Sequence, residues 1–288
     1  MCDDRTVADN DHYLRSKKLT RRQFGAVSAG TGLAMLLSRS ANAQAVSEAD
    51  IDVATPDGVA DCYFVHPSSG AHPGVLIWPD AFGLRPAFRQ IGKRLAESGY
   101  SVLVVNQYYR EQRAPVVSST NFAEVRDILR PLMGSLNPDT QTTDAVAFVG
   151  FLDSQSAVDR NRKIGTMGYC MGGPFTMRTA AAVPDRVGAG ASFHGSRLVT
   201  DAADSPHLLT PRMKARFLFA IAENDDMNAP EAKDVLLDTF VKAGLTAEIE
   251  VYENSLHGWC PPDSTVYNEA LAERAWNRLL ALFETALA

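Results

Sequence analysis

From residue 49 onward the chain alternates between two patterns. Short strand-like runs, most of them apolar, lie at 60–65, 74–78, 101–105, 164–167, 188–193, 216–222 and 247–252. Between them, at 86–97, 121–133, 140–153, 175–182, 230–243 and 265–287, lie stretches of helical character, several with apolar residues three and four apart. The segment 86–97 shows this most plainly: Pro86 opens it, Phe88, Ile91 and Leu95 form a stripe, and Ser98-Gly99 ends it. Strands separated by helical crossovers predict one α/β domain, a doubly wound and mostly parallel sheet with helices on both faces. No internal repeat or low-complexity linker divides residues 46–288, so this stretch is read as a single domain.

One junction in the pattern carries chemistry. The run Ile164-Gly165-Thr166-Met167 meets Gly168-Tyr169-Cys170-Met171-Gly172, and a helix-favouring stretch follows. A small residue two before and two after a nucleophile lets a strand turn sharply into a helix with the side chain held above the sheet. Here that side chain is a thiol. The following helix N-terminus favours its thiolate, and the Met171 N–H is placed to receive an oxyanion.

In a parallel sheet, reactive side chains collect on loops at the C-terminal ends of strands. Glu223-Asn224-Asp225-Asp226 follows the run at 216–222, and Ser255-Leu256-His257-Gly258-Trp259 follows the run at 247–252. The chain order is therefore nucleophile Cys170, acid Asp225, base His257. His257 can take the Cys170 proton or hold its thiolate as an ion pair, and Asp225 can fix the imidazole tautomer. Such a trio performs acyl transfer through a thioester, hence ester or lactone hydrolysis.

These residues resemble the dienelactone hydrolases (carboxymethylenebutenolidases), over essentially all of residues 46–288. The matching pieces are Gly168-Tyr169-Cys170-Met171-Gly172-Gly173, Glu223-Asn224-Asp225-Asp226, His257-Gly258-Trp259, Asp80-Ala81-Phe82-Gly83-Leu84 and Tyr108-Tyr109-Arg110. The resemblance implies an α/β-hydrolase fold, a Cys-His-Asp triad, no metal or organic cofactor, and an oxyanion hole from the backbone N–H groups of Met171 and Ala81. It also implies a thiol-activating carboxylate at Asp80, where the family has Glu, and substrate contacts from Tyr108 and Arg110. The family's second carboxylate-binding Arg is missing: Gly258-Trp259-Cys260-Pro261 offers none, and Trp259 would add apolar surface instead. A general carboxylesterase or thioesterase of the same fold, and a non-catalytic exported binding protein, are the competing readings.

Composition changes the picture at the N-terminus. Residues 1–45 run from a polar, basic start through Arg21-Arg22-Gln23-Phe24 and a weakly apolar stretch to Ala41-Asn42-Ala43, the parts of a twin-arginine export signal in order, with cleavage after Ala43 or Ala45. The apolar stretch falls short of the roughly 20 residues that span a bilayer. Loss of residues 1–45 turns the net charge of −6 into −9, from 21 basic against 30 acidic residues. With no basic stripe to offset it, such a surface argues against nucleic acid and anionic lipid as partners. The expected product is a periplasmic or secreted monomer acting on a small ester or lactone. Of four cysteines, Cys2 leaves with the leader; Cys62, Cys170 and Cys260 match no zinc spacing.

Overall fold

The computed structural model describes Thr6, Ala8, Asn10 and residues 43–288. The paired arginines and the apolar stretch of the expected leader lie outside the described residues. Eight strands form one sheet in the order β1-β2-β4-β3-β5-β6-β7-β8. In chain order these are Val46–Thr55, Gly58–Pro67, Gly74–Trp78, Ser101–Val105, Ile164–Tyr169, Val187–Phe193, Arg216–Ala222 and Ala247–Tyr252. The first two form an antiparallel hairpin, β2 is antiparallel to β4, and every other neighbouring pair is parallel. Helices cover both faces, as the alternation of patterns predicts. The strand at Val46–Thr55 is the exception to legibility: its residues are mostly exposed and polar, so no apolar run marks it, and pairing with β2 alone defines it.

Period-two alternation sends each strand's side chains to opposite layers. In β3, Leu76 and Trp78 join a cluster with Phe148, Leu152 and Leu129. These come from α2 (Phe122–Gly134) and α3 (Pro138–Ser154). Val75 and Ile77 face the other way, toward Phe88, Leu95, Trp276 and Phe283 of α1 (Pro86–Glu97) and α7 (Glu269–Ala286). A third cluster packs Phe217 and Phe219 against Met177, Leu236 and Phe240, from α4 (Gly172–Ala182) and α6 (Ala232–Lys242).

Helix ends follow local chemistry. Asn137 and Thr140 form a reciprocal capping box that starts α3 two residues before the predicted position. Asn268 accepts from Leu271 N and starts α7 four residues after it. The cysteines Cys62 and Cys260 belong to layers on opposite sides of the sheet and are both free thiols; burial pushes both thiols far up from the usual range, which leaves them inert.

Candidate active site

The centre of the sheet turns abruptly at the end of β5. Cys170 sits there with φ of 52°, a left-handed conformation that costs a non-glycine residue energy and persists only where the surroundings enforce it. Enforcement comes from three hydrogen bonds: Cys170 N donates to Phe193 O at 3.1 Å, while Gly173 N and Ser196 N both donate to Cys170 O, at 3.0 and 3.1 Å. Glycine is obligatory on both sides. A Cβ on Gly168 would stand 2.0 Å from the Gly172 carbonyl oxygen, and one on Gly172 would stand 2.4 Å from the Trp78 carbonyl oxygen. The turn is therefore packed backbone against backbone, and α4 begins directly behind the sulfur.

Asp225 lies in the first turn of a short helix, α5 (Glu223–Asn228), at the end of β7. Its Oδ2 is 2.8 Å from His257 Nδ1. The histidine loop is clasped to this helix by neighbours of the acid. Asn224 Oδ1 accepts from His257 N at 2.8 Å, Glu223 Oε2 accepts from Asn254 N at 2.7 Å, and Ser255 Oγ accepts from Glu223 N. Asn254 and Gly258 take left-handed φ values of 61° and 96° to let the loop turn. Asp226 is engaged elsewhere, by Lys233 at 2.6 Å, so of the two adjacent aspartates only Asp225 serves the histidine. Asn10 also reaches this clasp, donating to His257 O and accepting from Asn224.

His257 is buried, with the Asp225 carboxylate and the Cys170 sulfur as its charged neighbours. Burial alone would pull its pKa down, but the Asp225 carboxylate and the Cys170 sulfur together outweigh that and raise it to about 10. Both partners favour the charged form of the ring, the direction an imidazolium beside a sulfur and a carboxylate would take.

The loop from Asp80 to Leu84 and the elbow are joined by Tyr108. Its hydroxyl donates to the Ala81 carbonyl at 2.9 Å and lies 3.2 Å from Met171 Sδ, so one buried phenol touches both residues expected to supply the oxyanion hole. Asp80 is buried, with Oδ1 accepting from Phe82 N and both oxygens bound by Arg85. Arg110 is held by Asp57 and Asp144, at 2.5 and 2.7 Å, with its guanidinium over the Tyr109 ring. Trp259 is fully buried, stacked on Tyr252 with ring centroids 4.7 Å apart. Its other ring neighbour is His194, at 6.4 Å, so its surface is spent inside the core.

Three residues at the site were missed in the sequence. Arg85 is one. His194, one residue past β6, is buried with φ of 40° and packs edge-on against His257 at 5.0 Å; its position at a strand end, followed by Gly195, was the available signal. Burial and the neighbouring His257 keep its pKa well below the usual value, so it is a neutral ring. Ser196 is the third: its hydroxyl lies 3.9 Å from Cys170 Sγ. Ser196 and Arg197 separate two cavities, one of about 300 Å³ reaching Asp225 and one of about 240 Å³ reaching Met171.

The model of the dienelactone hydrolase family matches residues 60–287. The chain belongs to that family, and with it to the α/β hydrolases. A Methylorubrum extorquens protein named "Putative carboxymethylenebutenolidase" is 28% identical over 286 residues, covering 94% of this chain and 95% of its own. Among solved structures, a dienelactone hydrolase from Anabaena variabilis superposes with a TM-score of 0.60 at 18% identity, covering 84% of this chain and 99% of its own. A dienelactone hydrolase-like promiscuous phosphotriesterase from metagenomic libraries superposes with a TM-score of 0.71 at 21% identity, covering 85% and 100%. These structural likenesses speak for the fold.

A thiolate–imidazolium pair of Cys170 and His257 would have a spectroscopic consequence. Because Cys62 and Cys260 are held neutral by burial, the far-ultraviolet thiolate absorbance lost in Cys170→Ala belongs to Cys170 alone. It is expected to be present already at pH ~6 and, in His257→Gln, to emerge only toward the ordinary thiol range of about 8.5. A wild-type titration centred near that ordinary range would remove the ion pair.

Proposed function

We propose that the protein hydrolyses a carboxylic ester or lactone, with Cys170 as nucleophile, His257 as proton carrier and Asp225 as its orienting partner. The observation that carries this reading is the strained Cys170 at the end of β5 together with the His257–Asp225 contact of 2.8 Å. The Cys170 thiolate attacks the substrate carbonyl carbon, a C–S bond forms, and the carbonyl electron pair moves to oxygen, where the N–H groups of Met171 and Ala81 receive it. Collapse of this intermediate breaks the C–O bond, and the leaving alkoxide takes the proton from His257. Neutralising the sulfur as a thioester removes one of the charges that raised the His257 pKa. The ring is then able to act as base toward a water molecule, whose attack releases the acid and restores the thiolate.

The second reading within this fold, an esterase for neutral substrates, is favoured by the state of Arg110. A guanidinium already neutralised by two carboxylates is poorly available to a third. The 240 Å³ cavity beside Met171 instead carries Arg178 and Arg197. Arg197 has no ion-pair partner among the described residues, and Arg178 donates to the Asp204 carbonyl while its Nε stays unpaired. On the first reading, a lactone carrying an acidic group would meet its cation there and not at Arg110.

Residues 1–45 are read as a twin-arginine leader that delivers the folded enzyme to the periplasm, on the strength of Arg21-Arg22 and the Ala41-Asn42-Ala43 site.

Wild-type protein mixed with a short-chain ester and quenched early is expected to gain the mass of the acyl group on Cys170. Cys170→Ala should lose both adduct and turnover with its melting temperature nearly unchanged. Absence of any adduct in wild type would favour the binding-protein alternative. For selectivity, kcat/KM is to be compared on a matched acidic and neutral ester. A bond to a charged group is worth about 1.5–3 kcal/mol, so Arg197→Ala should lower the acidic-to-neutral ratio roughly tenfold or more while Arg110→Ala leaves it nearly constant. The reverse pattern would return the carboxylate role to Arg110. For the leader, Arg21→Lys with Arg22→Lys should hold unprocessed protein in the cytoplasm; processed protein outside the inner membrane would exclude that route.

A further inference from the structure

The loop that carries Ala81 and the segment that follows His257 are joined by one guanidinium. Arg85 is 7% exposed, and all five of its N–H bonds are used. Nη1 donates to Asp80 Oδ1 at 2.7 Å and to the Gly83 carbonyl at 3.3 Å; Nη2 donates to Asp80 Oδ2 and Asp263 Oδ1, both at 3.0 Å; Nε donates to Asp263 Oδ2 at 2.7 Å. Its plane lies over Phe82 and Phe88. Both carboxylates are gripped in the two-pronged way that only Arg provides.

The Asp80 side of this clamp is also the frame of the oxyanion loop. Besides Arg85, Asp80 Oδ1 accepts from Phe82 N, and the Asp80 carbonyl accepts from Gly83 N and from Gln107 Nε2. The residue between, Ala81, is thereby fixed from both flanks. The Asp263 side lies six residues beyond His257, and Thr120 braces it by donating to the Asp263 carbonyl. For Asp80 to swing toward Cys170 as a base, it would have to leave a buried guanidinium short of two hydrogen bonds, a costly state.

On the reading of Cys170 as an ester nucleophile, we propose that Arg85 is a positioning residue, that its bonds to Asp80 and Asp263 hold the Ala81 N–H in register with the elbow, and that Asp80 works in this clamp and not as base for the Cys170 thiol.

The two roles for Asp80 predict opposite outcomes for its partner. If Asp80 is part of a clamp, Asp80→Asn and Arg85→Gln each slow acylation about tenfold to a hundredfold. The double variant is then no slower than either single one, since residues acting as a unit are non-additive. The loss should fall on kcat with KM little changed, the mark of an interaction made in the transition state. Cys170 thiolate absorbance should stay as in wild type in both variants, and Arg85→Lys should recover only part of the rate. If Asp80 is the base, Arg85→Gln frees it, and acylation at wild-type rate or faster in that variant overturns the proposal. Loss of the thiolate signal in Asp80→Asn alone overturns it too. Should these buried variants not fold, Asp263→Asn, at a partly exposed position, provides the reading: severalfold slower acylation supports the clamp, and an unchanged rate refutes it. Failure of wild type to form any acyl adduct would instead sink the hydrolase reading, so the two failures are told apart.

Discussion

The close approach of Gly168 to the Gly172 carbonyl is the contact on which the site depends. Backbone meets backbone there, with no side chain between, and the strand can leave the sheet only by placing Cys170 in the left-handed region. The strain is carried by the neighbours: β6 accepts the Cys170 N–H through Phe193, and Ser196 N bonds the Cys170 carbonyl. Because β5 lies between β3 and β6, the sulfur emerges at the centre of the sheet. The loops after β3, β6, β7 and β8 can all reach it there, which an edge strand would not allow.

Electrostatics then divides the buried charges into two groups that do different work. Around Cys170, one sulfur and one carboxylate share one imidazole, and the ring's pKa is high because two anions oppose the cost of burial. On the proposed mechanism that arrangement is responsive: converting a thiolate to a thioester would remove one anion and make the same ring a better base. Around Arg85, two carboxylates share one permanently charged guanidinium with every donor satisfied. That arrangement cannot respond, since Arg does not lose its proton near neutral pH. A switchable pair at the nucleophile and a fixed clamp beside it suit a site in which protons move while the oxyanion donors stay still.

The sequence showed the first group and hid the second for a physical reason. Elbow glycines, a strand-end acid and a strand-end His-Gly each have a local signature, because the turn geometry that exposes them is written in neighbouring residues. The strands at Gly74–Trp78, Ser101–Val105 and Arg216–Ala222 were likewise legible to the residue, since burial on both faces demands largely apolar runs, and the half-exposed edge strand Ala247–Tyr252 was legible from its alternation of apolar residues with glutamates. Arg85 has no such signature. Its partners stand five residues before it and 178 after it, and a lone Arg before a helix reads as a solvated cation until the fold brings Asp263 to it. Arg110 shows the opposite case: the Tyr-Tyr-Arg match pointed to the substrate, and the fold adds two partners that the match did not announce, Asp57 in the β1–β2 turn and Asp144 on α3. Neither is near it in sequence.

His194 joins these two lines of reasoning. A buried ring with neither nitrogen hydrogen-bonded among the described residues carries a desolvation cost that packing alone does not offset, and its left-handed backbone adds strain of the kind seen at Cys170. It sits one strand over from the elbow and edge-on to His257, in contact with Tyr169 on one side and Trp259 on the other. A charged ring in that place would oppose the His257 imidazolium, so the site tolerates it only as a neutral imidazole, and the apolar walls from Tyr169 and Trp259 keep it so. Trp259 therefore bears on the His257 pocket only through His194: by helping to hold that ring dry and neutral, it keeps the wall beside His257 free of competing positive charge.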